Sequence, residues 1–535
     1  MIEAMKAELN RSMEQLKKQP TPPYFLSYEV TETETAGATG SYGSLVSSSP
    51  PIRRRMLGID LRVGSYALDN THPIRGAPPI LMDNFSSFQM PVDDDSDAIR
   101  ASLWYFTDQK YKRAIEQLIS VKTNVKVKAD ETDKSGDFSP AKAETYAEPA
   151  PAALNVNRAA WEERVRKYTA PFQRYGNIYS ATATLNASRE VRWFVSSDGA
   201  AIQMAQTMYR LNISAFGKAS DGMELPRYES FYSSTLQGLP SDDVVLARVR
   251  KMINELQDLK EAPVMEAYVG PAILSPRATG VIFHEIFGHR IEGQREKREN
   301  QSQTFRNKVG QKVLPEFISV YSDPTQQKYG DTELAGYYKF DNEGVRARRV
   351  TVVENGVLKN FLISRLPVDG FPESNGHGRR ANGFNVAGRQ SNLLVVASKT
   401  VTPDELKKQL IEEVKRKNLP YGLYFEDIAG GFTSVGRGAP NSFEVIPEMV
   451  YRIYPDGHEE LVRGVDLIGT ALTAFNKILA ADNRSESFNG ICGAESGPVP
   501  VSAGGPGLLF SEIEVQKKPK SQELSPILAP PFDDK

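Results

Sequence analysis

Two of the five histidines in this 535-residue chain stand in one short stretch, GVIFHEIFGHRIEG, residues 280–293. His284, Glu285 and His289 offer two imidazole nitrogens and a carboxylate. Neutral imidazole is a good zinc ligand, and two from one segment reduce the entropy lost in assembling a site. A glutamate beside the first histidine can take a proton from metal-activated water, the nucleophile of a hydrolysis. The spacing poses a geometric problem. Histidines four apart share a helix face, because four residues turn about 400°. Five residues turn about 500°, which on a regular helix leaves the rings roughly 140° apart. The segment must therefore deviate from a regular helix. Gly288 can accept unusual backbone angles, so either a one-residue π-bulge or a helix end at Gly288 would bring His289 back toward His284. The plainer alternative is two unconnected histidines, one packed and one exposed.

A metal site would need a third ligand from elsewhere, and His-Glu-x-x-x-His by itself does not supply one. The candidates are His72, His377, His458, Cys492 or a carboxylate. His458 lies beside the Asp456-Gly457 turn, where it would be solvated, and His72 reads as a loop residue. Cys492 lies in the glycine-rich stretch FNGICGAESGPVPVSAGGPGLLF. Thiolate is a strong zinc ligand, and a metal lowers the pKa of a coordinating thiol. His284, His289 and Cys492 would leave a fourth position open for water, the stoichiometry of a catalytic site. Glu292 is placed to hold a ligand histidine from behind. His377, Arg379 and Arg380, in NGHGRRANG, could contact substrate or an oxyanion, or else form a surface turn with solvated charges.

These residues need elements to position them. The N-terminal MIEAMKAELNRSMEQLKK carries Ile2, Met5, Leu9, Met13 and Leu16 on one stripe, an amphipathic helix rather than a secretory leader. Strands follow, then a helix over SDAIRASLWYFTDQKYKRAIEQLISVK that Ser96 or Asp97 would cap. Residues of about 127–155 are rich in Lys, Glu, Ala and Pro and poor in large apolar residues, an expected exposed loop. Strands return around the hairpin signal Asp198-Gly199, and a helix in SDDVVLARVRKMINELQDLKEAP ends at proline near residue 262. The second half is mostly strand, with hairpins predicted about Asn355-Gly356 and Asp456-Gly457. Its helices are expected in the motif segment, in TPDELKKQLIEEVKRKN and in LTAFNKILAADN.

This length exceeds what one core organises, so two domains are expected, 1–262 and 263–535. Apolar residues make up 40% and charged residues 25%, with a formal charge of −2. Such a balance argues against a broad surface for nucleic acid or anionic membrane, and no run approaches the roughly 20 apolar residues of a membrane helix. The basic run at Arg53, Arg54 and Arg55 reads as a solvated face. One cysteine rules out an intrachain disulfide. A cytoplasmic location is expected, or a periplasmic one if a leader was removed before this numbering.

Four stretches in order resemble the TldD/PmbA family of metallopeptidases: HEIFGHRIEG, DNEGVRARRVTVVENGVLKNFLISR, SNGHGRRANGFNVAGRQSNLLV and CGAESGPVPVSAGGPGLLFSEIEV. They span roughly residues 265–515. The resemblance implies zinc held by His284, His289 and Cys492, with Glu285 as catalytic base. It also implies an α+β protein with an N-terminal α/β domain and a C-terminal, largely antiparallel β domain carrying the metal-binding helix. The family assembles as dimers, so a homodimer or a heterodimer with a paralogous subunit is expected, this chain resembling the subunit that keeps the motif. The implied function is zinc-dependent hydrolysis of unfolded or extended peptides. The alternatives are a zinc amidase or deacylase acting on small molecules, and a non-catalytic, zinc-stabilised interaction protein. No Gly-x-Ser-x-Gly elbow suggests a serine hydrolase.

Overall fold

The computed structural model describes residues 1–74, 88–126, 133–298, 301, 303–433, 442–470, 475–518 and 528. Four strands of the first half are very long: Pro23–Ser41, Ser44–Val63, Ile178–Ser196 and Ala201–Lys218. They pair in antiparallel fashion in a seven-stranded sheet whose shorter members are Phe88–Gln89, Thr145–Ala147 and Glu224–Ser233. Thr145–Ala147 alone among them runs parallel to its neighbour. The Asp198-Gly199 signal is a hairpin turn, with Gly199 at φ 95°. Two separate apolar clusters line this sheet. Helices Ile2–Leu16 and Ser96–Lys126 pack over Tyr28, Val30, Leu57 and Ile59. Helices Arg158–Thr169 and Asp242–Glu261 pack over Ala181, Leu185, Leu211 and Ile213. Alternate residues of each strand face these helices, and the opposite face is mixed, with Glu29 and Arg192 beside a small apolar cluster of Phe194 and Ile202 against Phe340.

The second half holds two larger sheets. In one, strands Val357–Leu358, Val350–Glu354, Ile318–Ser322, Asn392–Ala397, Gly497–Gly505 and Glu486–Ala494 lie in that order. All its pairings are antiparallel except that between Asn392–Ala397 and Gly497–Gly505. In the other, Gly422–Thr433, Tyr268–Leu274, Leu508–Lys517, Val465–Thr470 and Ser442–Ile453 pair around a closed ring. Closure leaves these strands fewer free edges for unwanted pairing. Short helix Pro276–Ile282 and the turns after it lie between the two sheets. Phe283, Ile286 and Phe287 share one core with Leu393 and Ala503 of the first and Phe425 and Phe510 of the second. Each such buried phenylalanine contributes roughly 1.5–3 kcal/mol. At Gly280 a Cβ would lie 2.8 Å from the Ala503 carbonyl oxygen, so the helix can approach the sheet this closely only as glycine.

The architecture is α+β, as the sequence implies, with an antiparallel rather than βαβ-type sheet in the first half. Four local expectations change. The helix at Ser96 is capped by Asp95, whose Oδ1 accepts from the Ala98 amide at 2.8 Å, one residue before the expected position. LTAFNKILAADN, whose residues 472–474 lie outside the described residues, is helical among the rest only at Phe475 and contains strand Ile478–Ala481, paired with Leu508–Phe510. A short apolar run does not by itself distinguish helix from strand. Arg55 is buried against Glu32 at 2.6 Å instead of standing solvated.

The fourth correction concerns residues 127–155, of which 127–132 lie outside the described residues. Residues 133–139 are a strap holding both halves, while 140–153 are exposed or half-buried, as expected. Asp133, Asp137, Phe138, Ser139 and Leu154 are buried. Asp137 accepts from the Asp69 amide and pairs with His72 at 2.7 Å on the N-terminal side. Ser139 and Arg365 exchange backbone and side-chain hydrogen bonds on the C-terminal side. Composition suggested exposure because these polar groups are matched one by one across the fold, which a count of apolar residues does not register.

Candidate metal centre

Ser275 Oγ accepts the Ala278 amide at 3.1 Å and Pro276 occupies the first turn, so the helix begins with a satisfied cap. Seven residues after Pro276 the repeat changes. Phe283–Phe287 is a π-turn, and Gly288–Arg290 follows as a 3₁₀ turn. The wider i→i+5 turn absorbs the extra residue between the histidines. The His284 and His289 ring centroids consequently lie 5.1 Å apart at an interplanar angle of 75°. Gly288 has ordinary helical angles, φ −59° and ψ −45°, so unusual backbone freedom is not its role. Space is. A Cβ there would fall on the buried Gln390 carboxamide, whose Nε2 donates to the His284 carbonyl at 3.1 Å.

His289 is fixed from behind: its Nδ1 lies 3.1 Å from Glu292 Oε2. Glu292 is fully buried and also meets Arg295 at 2.8 Å and Arg389 at 3.2 Å. Burial alone would raise the Glu292 pKa, but His289 and the two guanidinium groups hold it well below the usual carboxylate range. His289 Nε2 then faces Cys492 Sγ at 3.3 Å. Cys492 comes from strand Glu486–Ala494, and its carbonyl accepts from Arg389 at 2.8 Å. One ligand atom each from His284, His289 and Cys492 lies within 4.8 Å of the others, and all three residues are buried. Burial opposes ionisation of the thiol, but the two imidazoles outweigh it and bring the thiol pKa down to about 4. Burial would likewise lower the basicity of His289, yet Glu292 and Cys492 raise its pKa to about 10.

Among the described residues His284 Nδ1 is buried without a hydrogen-bond partner. An orphaned imidazole nitrogen, a second imidazole and a thiolate make a set that fits zinc. Glu285 stands at the edge, its side chain 15% exposed and its Oε2 4.0 Å from His289 Nε2. Burial raises its pKa, against the pull of the neighbouring imidazoles.

The other candidates lie elsewhere. His72 is tied to Asp137, and His458 is exposed beside its turn. His377 is completely buried between Asn375 and Ser322, and burial pushes its pKa down to about 3. It is therefore a neutral core residue joining a loop to a strand rather than a group reaching substrate. Arg380 is paired with Glu29 of the N-terminal sheet at 3.1 Å. Arg379 lines a cleft beside the Cys492 strand. Sequence reading missed Arg389 and Gln390. The available signal was two polar residues directly before the apolar strand Asn392–Ala397, where burial was to be expected.

Residues 268–517 match the family model described as the PmbA/TldA metallopeptidase C-terminal domain. A metalloprotease of Methanothermobacter thermautotrophicus is 27% identical over 315 residues, 58% of this chain and 64% of that protein. The zinc metalloprotease TldD homolog of Saccharolobus solfataricus is 27% identical over 273 residues, 51% of this chain and 56% of that one. The fold is similar to that of TldE from Thermococcus kodakarensis, with TM-score 0.60 and 14% identity over 96% of this chain and 100% of the other. Fold and matched domain place the chain among proteins with a metallopeptidase-type C-terminal half. Residues 268–517 are a domain of the TldD/PmbA family. The matched stretch spans about half to two thirds of the length of such curated relatives.

Proposed function

We propose that this chain is a zinc-dependent peptidase acting on unfolded or extended peptides, with His284, His289 and Cys492 as metal ligands and Glu285 as catalytic base. The observation carrying this reading is the convergence of three buried ligand atoms within 4.8 Å beside a partly exposed carboxylate. A bound zinc ion would supply Lewis acidity to a substrate carbonyl and acidify water. Glu285 Oε2 takes the proton of the attacking water and delivers it to the leaving amine nitrogen. Glu292 keeps the His289 ring oriented, and Gln390 keeps His284 from rotating with its turn.

An extended peptide is the favoured substrate because Glu486–Ala494, which carries Cys492, is the terminal strand of its sheet. It pairs only with Gly497–Gly505 among the described residues. Added there as a further strand, a peptide would be held through backbone hydrogen bonds that tolerate many sequences. Two domains, 1–262 and 263–535, a dimer with itself or a paralogous subunit, and a cytoplasmic setting complete the proposal. Among the described residues no helix is long and apolar enough to cross a membrane.

The test pairs elemental analysis of the purified protein with degradation of an unstructured peptide mixture, with and without chelator. Glu285→Gln is expected to keep its zinc and lose cleavage by about 10²–10⁴-fold. Loss of zinc in that variant would make Glu285 a ligand or a structural group instead.

A further inference from the structure

A cleft of about 480 Å³ lies between the mixed face of the N-terminal sheet and the loops around the Cys492 strand pair. Most of its cations are matched. Lys339 meets Glu148 at 2.5 Å, Arg380 meets Glu29 at 3.1 Å, and Arg192 meets Glu29 at 3.5 Å. Arg379 is different. Its two terminal nitrogens donate to the carbonyls of Gln390 and Pro500 at 2.6 and 2.7 Å, and its guanidinium lies 5.0 Å from the Tyr338 ring centre. No carboxylate pairs with it among the described residues. The carboxylates sharing the cleft are otherwise engaged: Asp341 accepts the amides of Glu343, Val345 and Gly378, and Glu190 accepts from Gln206. Carbonyl dipoles and an aromatic face orient the guanidinium without an ion pair. Cys492 acts on it as an anion, and Arg389 and Arg192 act against it, so a buried guanidinium with no carboxylate partner among the described residues lines the cleft. Burial brings its pKa down to about 10, which still leaves it charged near neutrality.

Its position relates it to the metal centre. Pro500 pairs with Ile491 and Val499 with Cys492, so Arg379 is bound to the strand pair that carries the thiol. The same Gln390 that receives its hydrogen bond holds the carbonyl of His284. A group docked on Arg379 is thereby held in fixed relation to the ligand residues.

We propose that Arg379 anchors a carboxylate carried by the peptide, making the cleft a specificity subsite for a C-terminal or acidic segment of the substrate. Guanidinium and carboxylate match in charge and planar geometry, and a buried pair of this kind is strong. The assignment rests on the peptidase reading above.

The test uses peptides differing in one group: free against amidated C-terminus, and internal Glu against Gln. Cleavage kinetics are measured with the wild-type protein, and binding of the same labelled peptides with Glu285→Gln, which needs no turnover. Removing the anchored carboxylate is expected to raise KM and the dissociation constant roughly tenfold with kcat nearly unchanged. Sensitivity to amidation identifies the chain terminus, and sensitivity to Glu→Gln identifies a side chain. Arg379→Gln should erase the difference, while Arg379→Lys should keep part of it. Equal affinity for all four peptides overturns the proposal, and because the comparison is made on the peptide, it stands even if Arg379→Gln does not fold. A wild-type protein that cleaves none of the peptides, while Glu285→Gln still prefers the carboxylates, refutes the peptidase reading and leaves the anchor in place.

Discussion

At the scale of single residues, Glu292 serves three partners with one carboxylate: His289, Arg295 and Arg389. Arg389 in turn holds the Cys492 carbonyl, so one buried charge cluster aligns ligands that lie about two hundred residues apart in the chain. Replacing Glu292 by glutamine preserves shape but removes the charge that orients His289. We expect zinc affinity to fall by about 10–100-fold, measured by competition with a chromogenic chelator. A change of less than threefold would mean that Glu292 serves mainly to balance its two arginines. Cys492→Ala should lower zinc stoichiometry in the purified protein, and full occupancy in that variant would remove the thiol from the proposed set. His284, Glu285 and His289 were legible in the sequence because they are neighbours in it. Cys492 was one of several possibilities until the resemblance singled it out, since nothing local ties it to the histidines.

At the scale of elements, the π-turn is what makes a five-residue spacing usable. That the segment leaves a regular helix could be derived from helix geometry alone, but not that it does so by a π-turn rather than a helix end, nor what holds the turn. The wide turn is kept in register by Gln390 on the His284 carbonyl, and Gly288 is the residue that lets Gln390 approach. Gly288→Ala should therefore displace Gln390 and cost about 1–3 kcal/mol, read from chemical denaturation. Combining it with Gln390→Ala should give less than the sum of the two single effects, because each already breaks the same contact. Strict additivity would show that the glycine matters for another reason. Hairpins at Asn355-Gly356 and Asp456-Gly457 were legible because their turns demand left-handed backbone, with Asn355 at φ 47°, Gly356 at 79° and Gly457 at 92°. Strand Ile478–Ala481 was not, for its pairing with Leu508–Phe510 is a long-range choice.

At the scale of the whole molecule, the two halves meet through buried charges. Arg227 of the N-terminal sheet bonds Glu448 at 2.6 Å and Asp427 at 3.0 Å, and also holds Glu255 at 2.8 Å. Arg277 adds a second contact to Asp427 at 2.9 Å, and Lys251 adds one to Glu255 at 2.6 Å. Burial raises Glu448 from 4.5 to about 8 despite Arg227. Between those values the folded chain keeps a proton that the unfolded chain has released, so the native state binds more protons. Stability from this group is then lost as pH rises through that window, by up to about 1.4 kcal/mol per pH unit. Glu343, likewise raised by burial and by Asp341, acts in the same direction. Urea midpoints at pH 5, 6.5 and 8 should decline in the wild type and decline less in Glu448→Gln. An identical slope in both would show that Glu448 ionises normally inside the interface.

What the sequence by itself determined was local: a His-Glu-x-x-x-His pattern that cannot sit on a regular helix, turns that require particular residues, amphipathic stripes, and motifs in a recognisable order. Each is set by neighbours within a few positions, where steric and helical periodicity act directly. Tertiary structure decided which distant groups meet: that Cys492 faces His289, that His377 is sealed in the core, and that residues 133–139 bind both halves. Those outcomes depend on burial, which determines both the cost of leaving a polar group unpaired and the strength of the charge that pairs with it.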